Sequence, residues 1–397
     1  MFGIGLGVLY VAAIAVLRHH GGMFTDEAHH YPQIVLFLRG DFRALPDLTT
    51  IPGFHAAVAA ILRLCGAASL DAARLVSAGF GLVAAAGFHA IRRHLWPGTE
   101  TLATAQWLVL PVLVPLLFIV YTDVLALALL LWATWASLTR RHGVCALLLL
   151  ALVAVRQHEV LWVGCLAALA AWPVWRSRGP AGWRSLAAII APYLLPVAGF
   201  VAFWAWNGSI SLSSAQAALH PDFSLHLGNI CFALFLAGVL LPLHVVAGLR
   251  DFVALALRRP WLLLVPVLVF AVFWWGFRAD NPYNTAWPSY YVRNGLLLAV
   301  DSQPAWRIPF GLVVTAAACG LACTRLRPAG AAWLYVFAGL FLAASWLIEP
   351  RYALVPLALW LAFREHRGPR VEGATFAFWL GLSVFVFSGM VGDHFFL

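Results

Sequence analysis

Apolar residues in this chain come in repeated runs that approach or reach the length of a bilayer crossing, each closed by Arg, Gly, Pro or a short polar turn. Thirteen such runs are predicted as membrane helices, at 2–18, 72–91, 101–120, 122–138, 143–155, 158–175, 185–206, 229–249, 260–277, 307–324, 331–347, 351–364 and 374–391. Several are shorter than the ~20 residues a perpendicular helix needs. Short or Pro-broken segments at membrane depth are tolerated where they line a protein cavity. The first run lacks a basic leader and a cleavage site, so it reads as a span and not a signal peptide. The expected fold is an all-α polytopic membrane protein, a single integral membrane domain over residues 1–397.

Three stretches between runs are long: about 19–71, 207–228 and 278–306. Loops of that length are usually functional. In the first, Ile51, Phe54, Val58, Ile61 and Leu62 fall at helical spacing, which predicts a helix lying in the membrane interface over 51–64. In the third, Trp287, Tyr290 and Tyr291 suit the headgroup level.

Charge then orders the runs. With the N-terminus in the cytoplasm, the six cytoplasmic connections hold Arg92 and Arg93; Arg140 and Arg141; Arg176, Arg178 and Arg184; Arg250, Arg258 and Arg259; Arg325 and Arg327; and Arg364, Arg367 and Arg370. Basic residues retained in the cytoplasm set orientation, so the expected topology is N-in and C-out. Twelve of the sixteen acids fall at the other face: Asp26, Glu27, Asp41, Asp47, Asp71, Asp123, Glu159, Asp222, Asp280, Asp301, Glu349 and Asp393. Ionisable groups at short turns near bilayer depth are costly and tend to face a polar cavity. The outer face is the expected working face.

Composition agrees. The chain is 63% hydrophobic and 10% charged over 397 residues, against about 25% charged in soluble domains. The formal charge of +9 comes with cations scattered at run ends, the pattern of helix ends at a membrane surface and not of a nucleic-acid groove. All 25 cationic side chains are Arg, a codon bias that favours a GC-rich bacterial source. Cys65, Cys145, Cys165, Cys231, Cys319 and Cys323 lie in or beside apolar runs, form no CxxC pair, and read as packing residues.

The strongest local signal is Thr25-Asp26-Glu27-Ala28-His29-His30-Tyr31-Pro32-Gln33, directly after the first run. Adjacent carboxylates repel, which raises the proton affinity of one and suits it to accept a proton. The plainer account is a solvated turn capping a helix. His29, His30, Asp26 and Glu27 form no closed ligand set, so no metal is expected. Asn207-Gly208-Ser209 has the form of a glycosylation sequon.

Asp26-Glu27-x-x-His30-x-Pro32-Gln33 resembles the first-loop motif of the dolichyl-phosphate-glucose-dependent α-1,2-glucosyltransferases, enzymes that add the terminal glucose to the lipid-linked N-glycan precursor. In the same order along the chain, Thr49-Thr50-Ile51-Pro52-Gly53 resembles the family's Thr-Thr-x-Pro-Gly, and Tyr121-Thr122-Asp123 its Tyr-Thr-Glu. Arg156-Gln157 resembles its Arg-Gln pair, Ala279-Asp280-Asn281 the start of its Ala-Asp-Asn-Arg-His-Tyr, and Glu349-x-Arg351-Tyr352-x-x-x-Pro356 its Glu-Phe-Arg-Tyr segment. The chain departs at Pro282-Tyr283-Asn284, where the family has Arg-His-Tyr. It also lacks the Trp-Asp expected before the Thr-Thr pair, with Asp47 standing nearby.

The resemblance implies a GT-C-like bundle and transfer of a hexose, glucose first, from a polyprenyl-phosphate donor to a sugar hydroxyl of a glycan or lipid-linked acceptor. The anomeric centre inverts. Asp26 is then the first choice of general base and Glu27 the second. The lipid phosphate leaving group needs cationic or hydrogen-bonding partners: Arg351 first, then Arg156 and His158, with Arg293 and His226 behind. For each Arg the plainer account is a helix-end residue snorkelling to headgroups. His30, Gln33, Thr49, Thr50, Asp123, Gln157, Asp280, Asn281 and Tyr352 are the expected contacts of sugar or acceptor. No cofactor and no nucleic-acid partner is implied. The active face would look to the periplasm, or to the endoplasmic reticulum lumen in a eukaryote. The competing reading is a transporter or flippase of a lipid-linked or anionic substrate. It would place paired ionisable residues at mid-membrane and show repeats between its halves, whereas the acids here sit at run ends.

Overall fold

A computed structural model describes residues 2–18, 20–177, 182–213, 221–222 and 224–397. Arg178, one of the arginines used to order the runs, lies outside the described residues. The described residues form helices joined by turns, with two isolated bridges, Tyr291–Phe396 and Leu326–Arg364, and no strand. They pack as two compact units: one of Met1–Leu108, Leu113–Ala218 and Pro328–Phe337, the other of Val109–Val112, Leu219–Arg327 and Ala338–Leu397.

The first unit contains α1 (Phe2–Arg18), α2 (Glu27–Leu38), α3 (Gly53–Leu64), α4 (Leu70–Leu95), α5 (Glu100–Leu108), α6 (Val114–Leu117), α7 (Thr122–Leu138), α8 (His142–Val155), α9 (Val160–Ser177), α10 (Gly182–Ile190) and α11 (Leu194–Asn207). Helix α7 packs along both α4 and α8, and α2 lies against α3. Gly53 opens α3 where a Cβ would stand 2.3 Å from the Ala154 carbonyl, so this contact with the end of α8 demands glycine. Ser69 caps α4 by accepting the Ala72 amide.

The second unit contains α12 (Gly228–Leu240), α13 (Pro242–Arg258), α14 (Leu264–Gly276), α15 (Pro282–Thr285), α16 (Val292–Ser302), α17 (Pro304–Ala322), α18 (Trp333–Ala343, whose first turn belongs to the first unit), α19 (Leu354–Phe363) and α20 (Pro369–Val391). Its core gathers Phe232, Phe273, Phe277, Leu297, Val300, Phe310 and Ile348. Gly248 and Gly320 let α13 and α17 touch backbone to backbone, since a Cβ on Gly248 would lie 2.0 Å from the Gly320 carbonyl. Small residues at helix contacts are how helices in lipid approach closely.

Every expected run falls on helix, with several corrections. Five helices are long and apolar enough to cross a bilayer: Leu70–Leu95, Gln157–Ser177, Gly182–Asn207, Pro304–Ala322 and Pro369–Val391. Shorter apolar helices include Thr122–Leu138, His142–Val155, Pro260–Gly276 and Pro350–Phe363. The chain is a multi-pass membrane protein, and the tally of thirteen straight crossings is not reproduced. Run 229–249 bends by 103° between α12 and α13. Pro242 has no amide hydrogen to continue the helix, and the Leu240 carbonyl is taken by the Trp379 indole at 2.6 Å. Run 101–120 breaks between α5 and α6, where Pro111 interrupts it. The first long loop holds the expected helix as α3, and α2 in addition.

Candidate active site

In the first unit the polar residues singled out from sequence gather around the start of α2 and the turn before α7. Glu27 is fully buried. Its Oε1 accepts Arg74 Nε at 3.0 Å and the Val120 amide at 2.8 Å; its Oε2 accepts Arg74 Nη2 at 2.6 Å and the Phe24 amide at 3.0 Å. Arg74 also donates to the Gly22 carbonyl at 2.7 Å and lies 5.2 Å over the Phe24 ring. A buried carboxylate with four N–H donors is a strut joining the first loop, α4 and the segment before α7. Arg74 carries no motif, but a cation inside an apolar run requires a partner, and that signal was available in the sequence.

Asp26 is different. It stands at the N-cap position of α2 with helical φ −71° and ψ −9°, and its side chain makes no capping bond. N-cap residues that cap are normally extended, so the capping account fails on geometry. The Asp26 amide donates to the Tyr121 hydroxyl at 3.0 Å, and the same hydroxyl bonds Thr25 Oγ1. Thr25 is held at φ +35°, a conformation a β-branched residue rarely takes. His30 is buried, shares a 3.0 Å hydrogen bond with His55 Nε2, and sets its ring edge-on to Tyr121 at 5.7 Å. Burial, and then the His30 imidazole, pull His55 well below the ordinary imidazole range, so His55 stays neutral. His55 Nδ1 is buried without a partner.

Gln33 and Gln157 hold backbone. Gln33 accepts the Leu45 amide at 2.7 Å and donates to the Arg43 carbonyl at 2.9 Å. Gln157 accepts the Ile51 amide at 3.1 Å and donates to the carbonyls of Thr49 at 2.8 Å and Ile210 at 2.7 Å. The Thr-Thr-Ile-Pro-Gly segment is thereby pinned to the end of α8, with the Thr50 hydroxyl buried and unpartnered. Two residues after Tyr121, the buried Asp123 pairs with Arg156. Arg156 Nε also lies 3.4 Å from Glu159, and its Nη2 is 3.0 Å from His158 Nε2. One guanidinium thus serves two buried carboxylates. Further out, Arg43 bonds Asp41 and holds its carboxyl at about 2, below the usual range.

In the second unit the predicted residues gather around the turn before α19. Glu349 bonds Arg293 at 3.0 Å with one oxygen and Arg351 with the other. Arg293 also lies 4.5 Å over the Tyr291 ring, and Arg351 5.8 Å from the Tyr352 ring. Three buried asparagines build this turn. Asn229 donates to the carbonyls of Ser345 and Leu347 and accepts the Glu349 amide. Asn284 exchanges two bonds with the Ile348 backbone at 2.8 Å. Asn294 donates to the carbonyls of Tyr283 and Ala286. Asp280 accepts the Trp346 indole at 2.7 Å, and His226 stacks on Trp346. Asn281 caps α15, its amide nitrogen buried without a partner. Asn229, Asn284 and Asn294 were not singled out from sequence, where an isolated Asn carries no pattern.

Residues 21–184 match the model of the DIE2/ALG10 family. That match spans the whole cluster from Asp26 to Glu159 and bears out the resemblance read from the motifs there. The motifs around Asn281 and Arg351 lie beyond the DIE2/ALG10 match. The Dol-P-Glc:Glc(2)Man(9)GlcNAc(2)-PP-Dol alpha-1,2-glucosyltransferase of Drosophila melanogaster is 32% identical over 152 residues, 36% of this chain. The matched part spans about a third, 32%, of that relative's length. The chain is also similar to ArnT from Cupriavidus metallidurans in two solved structures. The apo structure gives a TM-score of 0.42 at 16% identity, over 96% of this chain and 78% of that one. The structure bound to undecaprenyl phosphate gives 0.41 at 15%, over 96% and 77%.

Proposed function

We propose that this chain is a membrane glycosyltransferase of the GT-C kind that moves a hexose, glucose first, from a polyprenyl-phosphate donor to a sugar hydroxyl of a lipid-linked or glycan acceptor. Asp26 is the general base. It takes the proton of the acceptor hydroxyl as that oxygen bonds to the anomeric carbon. The bond from that carbon to the phosphate oxygen breaks, and polyprenyl phosphate leaves with the electron pair. Attack opposite the leaving group inverts the centre. Arg351 and Arg293, both paired with Glu349, receive the phosphate's charge. The working face is the non-cytoplasmic one, where the acidic turns fall.

The observation that supports this reading most is the contrast between the two adjacent carboxylates. Glu27 has both oxygens engaged by N–H donors, whereas Asp26, at a capping position, does not cap. The family match covers this pair. The test is incubation of the purified protein with polyprenyl-phosphate-glucose or polyprenyl-phosphate-mannose and a panel of lipid-linked acceptors, followed by mass spectrometry. A mass gain of one hexose on an acceptor, with release of polyprenyl phosphate, is expected. Movement of the intact lipid-linked sugar across a vesicle membrane with no transfer would establish the flippase reading instead.

A further inference from the structure

In the second unit, residues 344–349 between α18 and α19 are not helical. An irregular stretch between apolar helices carries backbone groups that lipid cannot satisfy. Two buried side chains satisfy them here. Asn229, 1% exposed, donates to the carbonyls of Ser345 and Leu347 and accepts the Glu349 amide. Asn284, fully buried, serves both the carbonyl and the amide of Ile348. One end of this bracketed stretch carries Glu349 and its two arginines. The other end carries Trp346. Its half-buried indole donates to Oδ1 of the exposed Asp280 at 2.7 Å and stacks with the imidazole of His226, with centroids 5.9 Å apart and planes 18° from parallel. The His226 amide donates to the Ala343 carbonyl at 2.8 Å, which ties it to the same stretch.

A wide apolar ring beside a carboxylate suits a hexose. The C–H face of a sugar packs on an aromatic ring, and its hydroxyls donate to an acceptor that has no hydrogen of its own. Position then says which hexose. Trp346 stands three residues before Glu349, no more than about 11 Å of extended chain. A lipid phosphate on Arg293 and Arg351 bears its sugar directly on a phosphate oxygen, so that sugar is within reach of the indole. We propose that Trp346 and Asp280 form the subsite for the donor hexose, the indole taking the C–H face of the sugar and the Asp280 carboxylate accepting its hydroxyls, with His226 backing the indole. This rests on the reading of Arg293 and Arg351 as the phosphate site and adds the sugar to it.

The test is equilibrium binding to the purified full-length protein in detergent. Polyprenyl phosphate and polyprenyl-phosphate-glucose are the two probes, and wild type, Trp346→Leu, Trp346→Phe, Asp280→Asn and Arg351→Ala are the proteins. Trp346→Leu should weaken the glucose-bearing lipid about tenfold and Asp280→Asn about fivefold, both leaving the bare lipid phosphate within about twofold of wild type. Asp280→Asn keeps an acceptor for the indole, so a loss there reports the hydroxyl contact and not a loosened Trp346. Trp346→Phe, which keeps a ring, should lose less than Trp346→Leu. Arg351→Ala should weaken both lipids alike. Unchanged affinity for the glucose-bearing lipid in Trp346→Leu and Asp280→Asn overturns the proposal and makes the indole a headgroup-level anchor. Equal losses for the two lipids in these variants also overturn it, because the residues then only hold the Glu349 turn. Wild-type binding of both lipids by Arg351→Ala, beside a selective loss in Trp346→Leu, removes Arg351 from the phosphate site and leaves the hexose subsite standing. A wild type that holds neither lipid overturns the glycosyltransferase reading and the subsite with it. Should Trp346→Leu fail to fold, Asp280→Asn, at an exposed position, decides by the same criteria.

Discussion

At the start of α7 in the first unit, one arginine is set between two carboxylates: Arg156 with Asp123 and Glu159. At the turn before α19 in the second unit the arrangement is reversed, one carboxylate between two arginines: Glu349 with Arg293 and Arg351. The first cluster is richer in carboxylates and the second in guanidiniums, and Arg293 in the second also donates to the Leu397 oxygen. In the proposed reaction the guanidinium-rich group serves the anionic donor phosphate and the carboxylate-rich group serves hydroxyls. Arg156, expected from sequence to meet the donor phosphate, is paired with Asp123 and Glu159, and Arg351 is paired with Glu349.

Five substitutions sharpen or break that comparison. Asp26→Asn should lower hexose transfer by about 10²–10⁴, the usual worth of a general base, with the melting temperature of the purified protein unchanged. Arg74→Met leaves the Glu27 carboxylate buried beside an apolar side chain, and breaking such a pair costs about 3–5 kcal/mol. It should appear as loss of folded protein on size-exclusion chromatography, whereas a stable and inactive Arg74→Met would make this pair catalytic and not a strut. Arg351→Ala should raise the donor KM about 10- to 100-fold, a charge-assisted hydrogen bond's worth, with acceptor KM unmoved. Arg156→Met should not reproduce that selective donor effect, and if it does the two clusters have been assigned the wrong way round. The smallest effect belongs to Asp41→Asn. The Asp41 carboxyl is lowered to about 2 by Arg43, so its pairing is complete above the ordinary carboxylate range and lost only as pH falls through about 2. Activity and melting temperature between pH 5 and 8 should match wild type.

Much of the scaffold was legible in the sequence because proline, glycine and arginine punctuate apolar runs. The run expected at 122–138 is helix α7 residue for residue, and the helix expected over 51–64 is α3. The 103° bend at Leu241–Pro242 was not legible, since hydropathy is blind to direction and Pro at a helix start looks like any other punctuation. Candidate residues were found as a set, and the structure gathers them within each unit. Their individual roles were harder to read. Glu27 and Asp26 are neighbours with similar side chains, and what separates them is non-local: Arg74 is 47 residues away and Val120 is 93. The same holds for Gln33 and Gln157, expected to touch sugar and found holding backbone. The asparagines that shape the Glu349 turn were missed for the same reason, since their partners lie far along the chain.

The division of labour between the two clusters can be tested most directly by one titration, with polyprenyl phosphate as the probe and wild type, Asp26→Asn and Arg351→Ala as the proteins. A base that never touches the leaving group should not alter its binding, so Asp26→Asn should hold polyprenyl phosphate as tightly as wild type, while Arg351→Ala should bind it at least about tenfold more weakly. Equal affinity in wild type and Arg351→Ala, with weakened binding in Asp26→Asn, would contradict the account.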